Sequence, residues 1–134
     1  MYGWMGKILK VNLTNSKINT IETQPYAEKY LGGRGIGLQL YREKVKPEIK
    51  AFDPENCLIF TVGPVVATSA QGATLTSIVG KSPVAMAEGF YYGNLTGSVG
   101  PELKKAGYDG LGKETGVLGL YAYTQTKLVC VKYK

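Results

Sequence analysis

Between Gly80 and Gly110 the chain places seven glycines, at Gly80, Gly89, Gly93, Gly97, Gly100, Gly107 and Gly110. No other feature limits the fold as much. Glycine lets the backbone reach positive φ or approach another group with no side chain between. Long helices are therefore disfavoured in this stretch, and turns and close backbone contacts are favoured. The same stretch contains no histidine and no cysteine. It reads as a backbone surface shaped to cradle something rather than as a set of reacting groups.

The chain has 134 residues, enough to bury a core as one domain over 1–134 without disulfides or metals. A formal charge of +6 suits an anionic partner such as phosphate or a nucleotide. The lysines are scattered, however, and the only local cluster is Lys104-Lys105. A nucleic-acid surface shows a denser basic stripe with interleaved aromatics, so no nucleic-acid partner is expected.

Cysteine and histidine exclude more. There are two cysteines, Cys57 and Cys130, and no histidine. Both cysteines sit in apolar, strand-like runs and read as small buried hydrophobes. Within one chain they complete neither a Cys/His zinc site nor a four-cysteine iron–sulfur site. No Ser/His/Asp or Cys/His catalytic set is available without histidine. Among the acids, Glu88, Glu102 and Asp109 are the best placed, Asp109 in a turn after Tyr108; each reads as a solvated or capping residue. Met1-Tyr2-Gly3-Trp4 lacks the basic and apolar regions of a signal peptide, and no apolar run is long enough to span a bilayer. The expected address is the cytoplasm, with no membrane partner.

Lys7 to Leu13 alternates with Leu9, Val11 and Leu13 on one face, predicting a half-buried strand. Thr14-Asn15-Ser16 is turn chemistry, and Lys17 to Thr23 returns as the second arm of a hairpin. Pro25 opens a helix through Leu31. Gly32-Gly33-Arg34-Gly35 interrupts it, and Ile36 to Val45 resumes the helical pattern. Leu58 to Val62 and Thr74 to Val79 read as strands, and Val84 to Tyr92 as extended chain. Pro101 starts a short helix ending at Gly107. The tail from Val117 to Val131 reads as a second hairpin. Strands dominate without regular βα alternation, predicting an α+β fold with mixed or antiparallel sheets and a few short helices.

Two glycine motifs fail as phosphate loops. From Gly33 the dinucleotide pattern requires glycine where Leu38 stands, and the segment follows a helix rather than a strand. Gly80-Lys81-Ser82 copies the end of a P-loop, but Leu75 occupies the position of its first glycine and Pro83 follows immediately. Gly32-Gly33 is better read as a helix break. Arg34, flanked by glycines, is free to reach an anion.

Several strings together resemble the N-terminal domain of the tungsten-containing aldehyde ferredoxin oxidoreductases. They are Tyr2-Gly3-Trp4 with Gly6-Lys7-Ile8-Leu9-Lys10-Val11-Asn12-Leu13-Thr14, Tyr30-Leu31-Gly32-Gly33-Arg34-Gly35, Pro54-Glu55-Asn56 through Gly63-Pro64, Val79-Gly80-Lys81-Ser82-Pro83, and Gly100-Pro101-Glu102 through Gly110. They come in family order over about residues 2–110, whereas the tail 111–134 matches only loosely.

The resemblance implies a scaffold domain forming a base for a bis-pterin tungsten cofactor, with iron–sulfur cysteines and substrate cavity supplied by later domains. The family's enzymes oxidise aldehydes and pass electrons to ferredoxin. By the same resemblance, Asn94 is the asparagine whose main-chain carbonyl helps bind a magnesium ion bridging the pterin phosphates. Gly93, Leu95 and Gly97 flank it, and Lys81 and Arg34 supply positive charge. Leu75 stands where the family has an arginine, and the asparagine motif is eroded to Gly93-Asn94-Leu95-Thr96-Gly97.

The primary expectation is a tungstopterin-cradling domain, inactive alone and free of cofactor and iron–sulfur cluster when isolated. It would self-associate or dock onto a longer partner, with ferredoxin a partner only of a complete enzyme. The alternatives are a small binding protein for a pterin or nucleotide phosphate, and a subunit of a split oxidoreductase. Arg34, Lys81, Leu75 and the Asn94 loop are expected on one concave side.

Overall fold

In the computed structural model, which describes residues 3–84 and 88–114, the apolar alternation near the N-terminus forms a hairpin. β1 (Lys7–Asn12) and β2 (Lys17–Glu22) pair antiparallel, with Ile8 opposite Ile21 and Val11 opposite Ile18. Asn12 Oδ1 accepts hydrogen bonds from the amides of Thr14 and Asn15 at 3.0 and 3.3 Å. That is the asparagine-closed turn its short side chain favours.

Two helices follow, α1 (Gln24–Tyr30) and α2 (Arg34–Lys44). Pro25 lies in the first turn of α1, where a missing amide costs nothing. Gly32 separates the helices at φ 133°, and a Cβ there would fall 2.3 Å from the Trp4 ring. No side chain fits at that position, so the break is fixed by backbone conformation and packing together.

β3 (Cys57–Val62), β4 (Thr76–Lys81) and β5 (Phe90–Leu95) form an antiparallel meander. α3 (Val99–Lys105) and β6 (Gly110–Glu114) complete the described chain. One six-stranded sheet results, in the order β2-β1-β6-β3-β4-β5. β6 runs parallel to β1 and antiparallel to β3. The architecture is therefore α+β with a mixed sheet and three helices.

α2 packs on β3 and β4, and α1 packs on α2. Ile8, Ile36, Leu40, Tyr41, Ile59 and Val79 form the centre of the core between them. Gly37 makes this close approach possible, since a Cβ would lie 2.8 Å from Val79 Cγ2 and 2.9 Å from Thr61 Oγ1. Strand alternation puts Thr76 on the opposite sheet face from Ser77 and Val79. There Gly100 of α3 meets it, with a hypothetical Cβ 2.8 Å from Thr76 Oγ1.

Three expectations change. Residues 110–114 form an interior strand, where the sequence reading assigned no strand and marked only the end of the glycine stretch and the start of the loosely matched tail. Asp109 is neither solvated nor a simple turn residue, being 1% exposed. Finally, not all glycines of the 80–110 stretch form an open cradle. Gly80, Gly100 and Gly110 are packed against Leu58, Thr76 and the Phe60 carbonyl, whereas Gly89, Gly93, Gly97 and Gly107 have open space at the Cβ position. The expected hairpin over Val117–Val131, and Cys130 with it, lies outside the described residues. Cys57 belongs to the buried core. Among the described residues, no helix is long and apolar enough to cross a membrane.

Candidate functional site

The helix break at Gly32-Gly33 makes Arg34 the first residue of α2. Gly33 is anchored to β3 from both sides: its amide donates to the Val62 carbonyl at 3.2 Å, and its carbonyl accepts from Thr61 Oγ1 at 2.7 Å. Arg34 thereby stands over β5, with its guanidinium carbon 3.5 Å from the Tyr92 ring centroid. This is a cation–π contact in which the ring quadrupole attracts the charge from below. Neither of the ion pairs between described residues involves Arg34. Its N–H donors remain available to an external anion.

Tyr92 and Asn94 lie on one face of β5, opposite Val79 and Ser77 of β4. Ser77 Oγ donates to Asn94 Oδ1 at 3.4 Å, a long and weak bond. Together Gly33, Arg34, Ser77, Asn94, Leu75 and the loop residues Gly63 and Gly72 line a cavity of about 450 Å³. Gly63 and Gly72 have nothing within 4 Å of a Cβ position, so the backbone itself is presented there. The lining includes one cation and no carboxylate.

The structure thus brings Arg34, Asn94 and Leu75 together, with Leu75 45% exposed at the cavity. It separates Lys81 from them. Lys81 lies four residues beyond Ser77 on β4, roughly 13 Å away at the rise of an extended strand. Its Nζ donates to the carbonyls of Pro47, at 2.7 Å, and of Ile49. The ammonium ties a loop to the sheet and does not line the cavity. Gly93 and Leu95 alternate onto the opposite sheet face from Asn94, so only their backbone borders the site. Gly97, at φ 106°, turns the chain toward α3.

Tyr92 and Ser77 were not singled out from sequence. Tyr92 was findable, since it stands two residues before Asn94 and shares its strand face. Ser77 required knowing the β4–β5 register. The site offers hydrogen-bond donors, one cation, bare backbone and an apolar wall, a combination suited to a flat anionic ligand. Among the described residues, no group of three or more His, Cys, Asp or Glu side chains could hold a metal ion.

Residues 8–114 match the family model for the aldehyde ferredoxin oxidoreductase N-terminal domain, and the chain belongs to that family. A tungsten-containing aldehyde ferredoxin oxidoreductase of Pyrococcus abyssi is 39% identical over 134 residues, covering 93% of this chain and 21% of that protein. The WOR-like subunit of an aliphatic sulfonate oxidoreductase from Pyrococcus furiosus is 35% identical, covering 94% of this chain and 21% of that protein. Among solved structures, the active-site complex BamBC of benzoyl coenzyme A reductase, in complex with 1,5-dienoyl-CoA, superposes with a TM-score of 0.79 at 36% identity. That match covers 85% of this chain and 17% of the other. The chain spans about a fifth of the length of the relatives it matches.

Proposed function

We propose that the cavity beneath Arg34 is the pterin-phosphate end of a tungstopterin cradle. The chain, a single domain over 1–134, acts as the base on which the cofactor rests. The observation that carries this reading is the juxtaposition of Arg34, Asn94 and the bare Gly63 and Gly72 backbone around one carboxylate-free cavity. Arg34 would meet a phosphate through its N–H donors, and Asn94 would offer its main-chain carbonyl to a magnesium ion between two phosphates. Gly93, Leu95 and Gly97 would shape the surrounding backbone. Lys81 has no place in this binding set, because two carbonyls already hold its ammonium.

When bound, the tungsten group supplies two-electron oxidation of an aldehyde to a carboxylic acid, with ferredoxin as acceptor in a complete enzyme. This chain's own part is to bind, orient and shield. The iron–sulfur and substrate portions come from chain beyond these residues or from a separate partner. The partner reading is supported by a relative named as a subunit and a structural neighbour that is a complex. We place the protein in the cytoplasm. Stand-alone binding of a pterin or nucleotide phosphate is the second reading, supported by the same lone cation.

Calorimetry with pyrophosphate and with a pterin phosphate tests the cavity. Binding by the unaltered chain is expected to fall by about one to two decades in Arg34→Leu, given roughly 1.5–3 kcal/mol for a charge-assisted hydrogen bond. Absence of binding to either probe, or equal binding by Arg34→Leu, overturns the reading.

A further inference from the structure

We infer that Trp4 is a positioning residue for the Arg34 cavity: its indole ring seats the Gly32 turn and, through that turn, the first residue of α2. Trp4 is not itself among the residues that line the cavity. A Cβ on Gly32 would fall 2.3 Å from Trp4 Cη2 and 3.0 Å from Cζ2, with Pro64 Cδ at 3.1 Å. Gly3 lies equally close to the same proline, where a Cβ would meet the carbonyl oxygen at 2.5 Å. The N-terminal loop therefore packs on Gly32 and Pro64, and both of these line the cavity.

The turn needs such a seat. Gly32 and Gly33 both have positive φ, 133° and 49°, and adjacent glycines carry the greatest backbone freedom to be lost. Hydrogen bonds fix Gly33 to β3. Gly32 bonds only within the break, its amide to the Tyr30 carbonyl and its carbonyl to the Gly35 amide, so those bonds move with it. Contact with Trp4 and Pro64 is what holds it to the rest of the fold. Trp4 is itself gripped on both flanks. Lys104 Nζ donates to the Gly3 carbonyl and stands over the indole, while the Asp109 carboxylate accepts from the amides of Met5 and Gly6. The contact is made by the far edge of the indole, which a shorter phenylalanine ring does not reach. Only the effect on a ligand rests on the proposed cradle; the seating of Arg34 is read without one.

Proton NMR of the full chain reads the seat directly. Arg34 is one of two arginines, and its guanidinium lies over the Tyr92 ring, so its side-chain protons should resonate upfield of those of exposed Arg42. Trp4→Phe should move them toward the Arg42 position, and Lys104→Met, which frees one flank of the loop, should do the same. Tyr41→Phe, which lowers stability away from this junction, should leave them in place. Calorimetry with pyrophosphate reads the consequence: Trp4→Phe should weaken binding by about three- to thirtyfold, and Tyr41→Phe should not. In an Arg34→Leu background Trp4→Phe should cause no further loss, because residues acting through one another are not additive. Arg34 protons that are not upfield, or that stay in place in Trp4→Phe, overturn the inference, as do unchanged pyrophosphate affinity in Trp4→Phe, an equal loss in Tyr41→Phe, or additive losses. Absence of pyrophosphate binding by the unaltered chain overturns the cradle, and the Arg34 protons still decide the role of Trp4.

Discussion

Lys104 Nζ lies 2.6 Å from Asp109 Oδ1, with the two side chains 3% and 1% exposed. The pair is the hub of a larger network. The Asp109 carboxylate also accepts from the amides of Met5 and Gly6 and from Thr23 Oγ1, all within 3.0 Å. Lys104 donates to the Gly3 carbonyl at 2.6 Å and stands 4.9 Å from the Trp4 ring centroid. One buried carboxylate thus holds the N-terminal loop, the start of α1 and the approach to β6 together.

The two halves of this pair should not be equivalent. Asp109→Ala strands a buried ammonium and two backbone amides, and is expected to cost about 3–5 kcal/mol, the range for breaking a buried ion pair. Lys104→Met leaves a carboxylate that keeps its amide and hydroxyl donors, and should cost less. Urea denaturation of both variants checks the order.

Gly37 sets the distance between α2 and the sheet. Gly37→Val inserts atoms where Val79 Cγ2 and Thr61 Oγ1 already lie within 3.0 Å of the Cβ position. Overpacking of this kind costs about 1–3 kcal/mol. A lowered urea midpoint with an unchanged slope is the expected result.

Leu75 offers a gain-of-function test. It lines the cavity beside Arg34 and Asn94, so Leu75→Arg adds a second cation there and should tighten pyrophosphate binding by about one to two decades. Asn94→Pro should weaken it by distorting β5. Calorimetry on each variant reads both effects.

Alkaline pH should loosen the core around Tyr41. Burial pushes its phenol up to about 12, with Cys57 adding to the shift. Burial, and then the hydrogen bond to Glu43, does the same for Tyr26. The folded chain therefore holds these protons more tightly than the unfolded one, whose phenols titrate near 10.0. That stability is complete below pH 10 and is lost as pH rises through about 12. Tyr41→Phe should flatten the decline in a series of urea melts across this window. At neutral pH it should cost about 0.5–1.5 kcal/mol for the lost bond to Asn56.

Two cysteines and no histidine give the isolated chain too few ligands for a four-iron cluster. Elemental analysis is expected to find neither iron nor tungsten in stoichiometric amount.

The hairpin was legible because Leu9 and Val11 alternate and Asn12 to Ser16 carry turn chemistry. The helix break was legible because two glycines interrupt a helical period. β6 was not, since Gly110-Leu111-Gly112-Lys113-Glu114 contains no β-branched residue. It becomes a strand because neighbours on both sides supply its hydrogen-bond partners, a tertiary effect that overrides local preference. Arg34 stood out in the sequence because glycines flank it, but its contact with Tyr92 depends on how the meander brings β5 beneath α2. Lys81 misled for the same reason. Its charge is visible in sequence, whereas the carbonyls of Pro47 and Ile49 that occupy it are set by the path of a loop.

The place of β6 also dictates when the sheet can exist. The hairpin β1–β2 and the meander β3–β4–β5 share core packing, but among the described residues they are hydrogen-bonded into one sheet only through this last described strand. During synthesis both pieces emerge from the ribosome as separate two- and three-stranded fragments, each with an unsatisfied inner border. They can be joined only after Glu114 has left the exit tunnel, through pairings distant in sequence that form slowly. Until then the nascent chain has two exposed borders able to capture neighbouring chains.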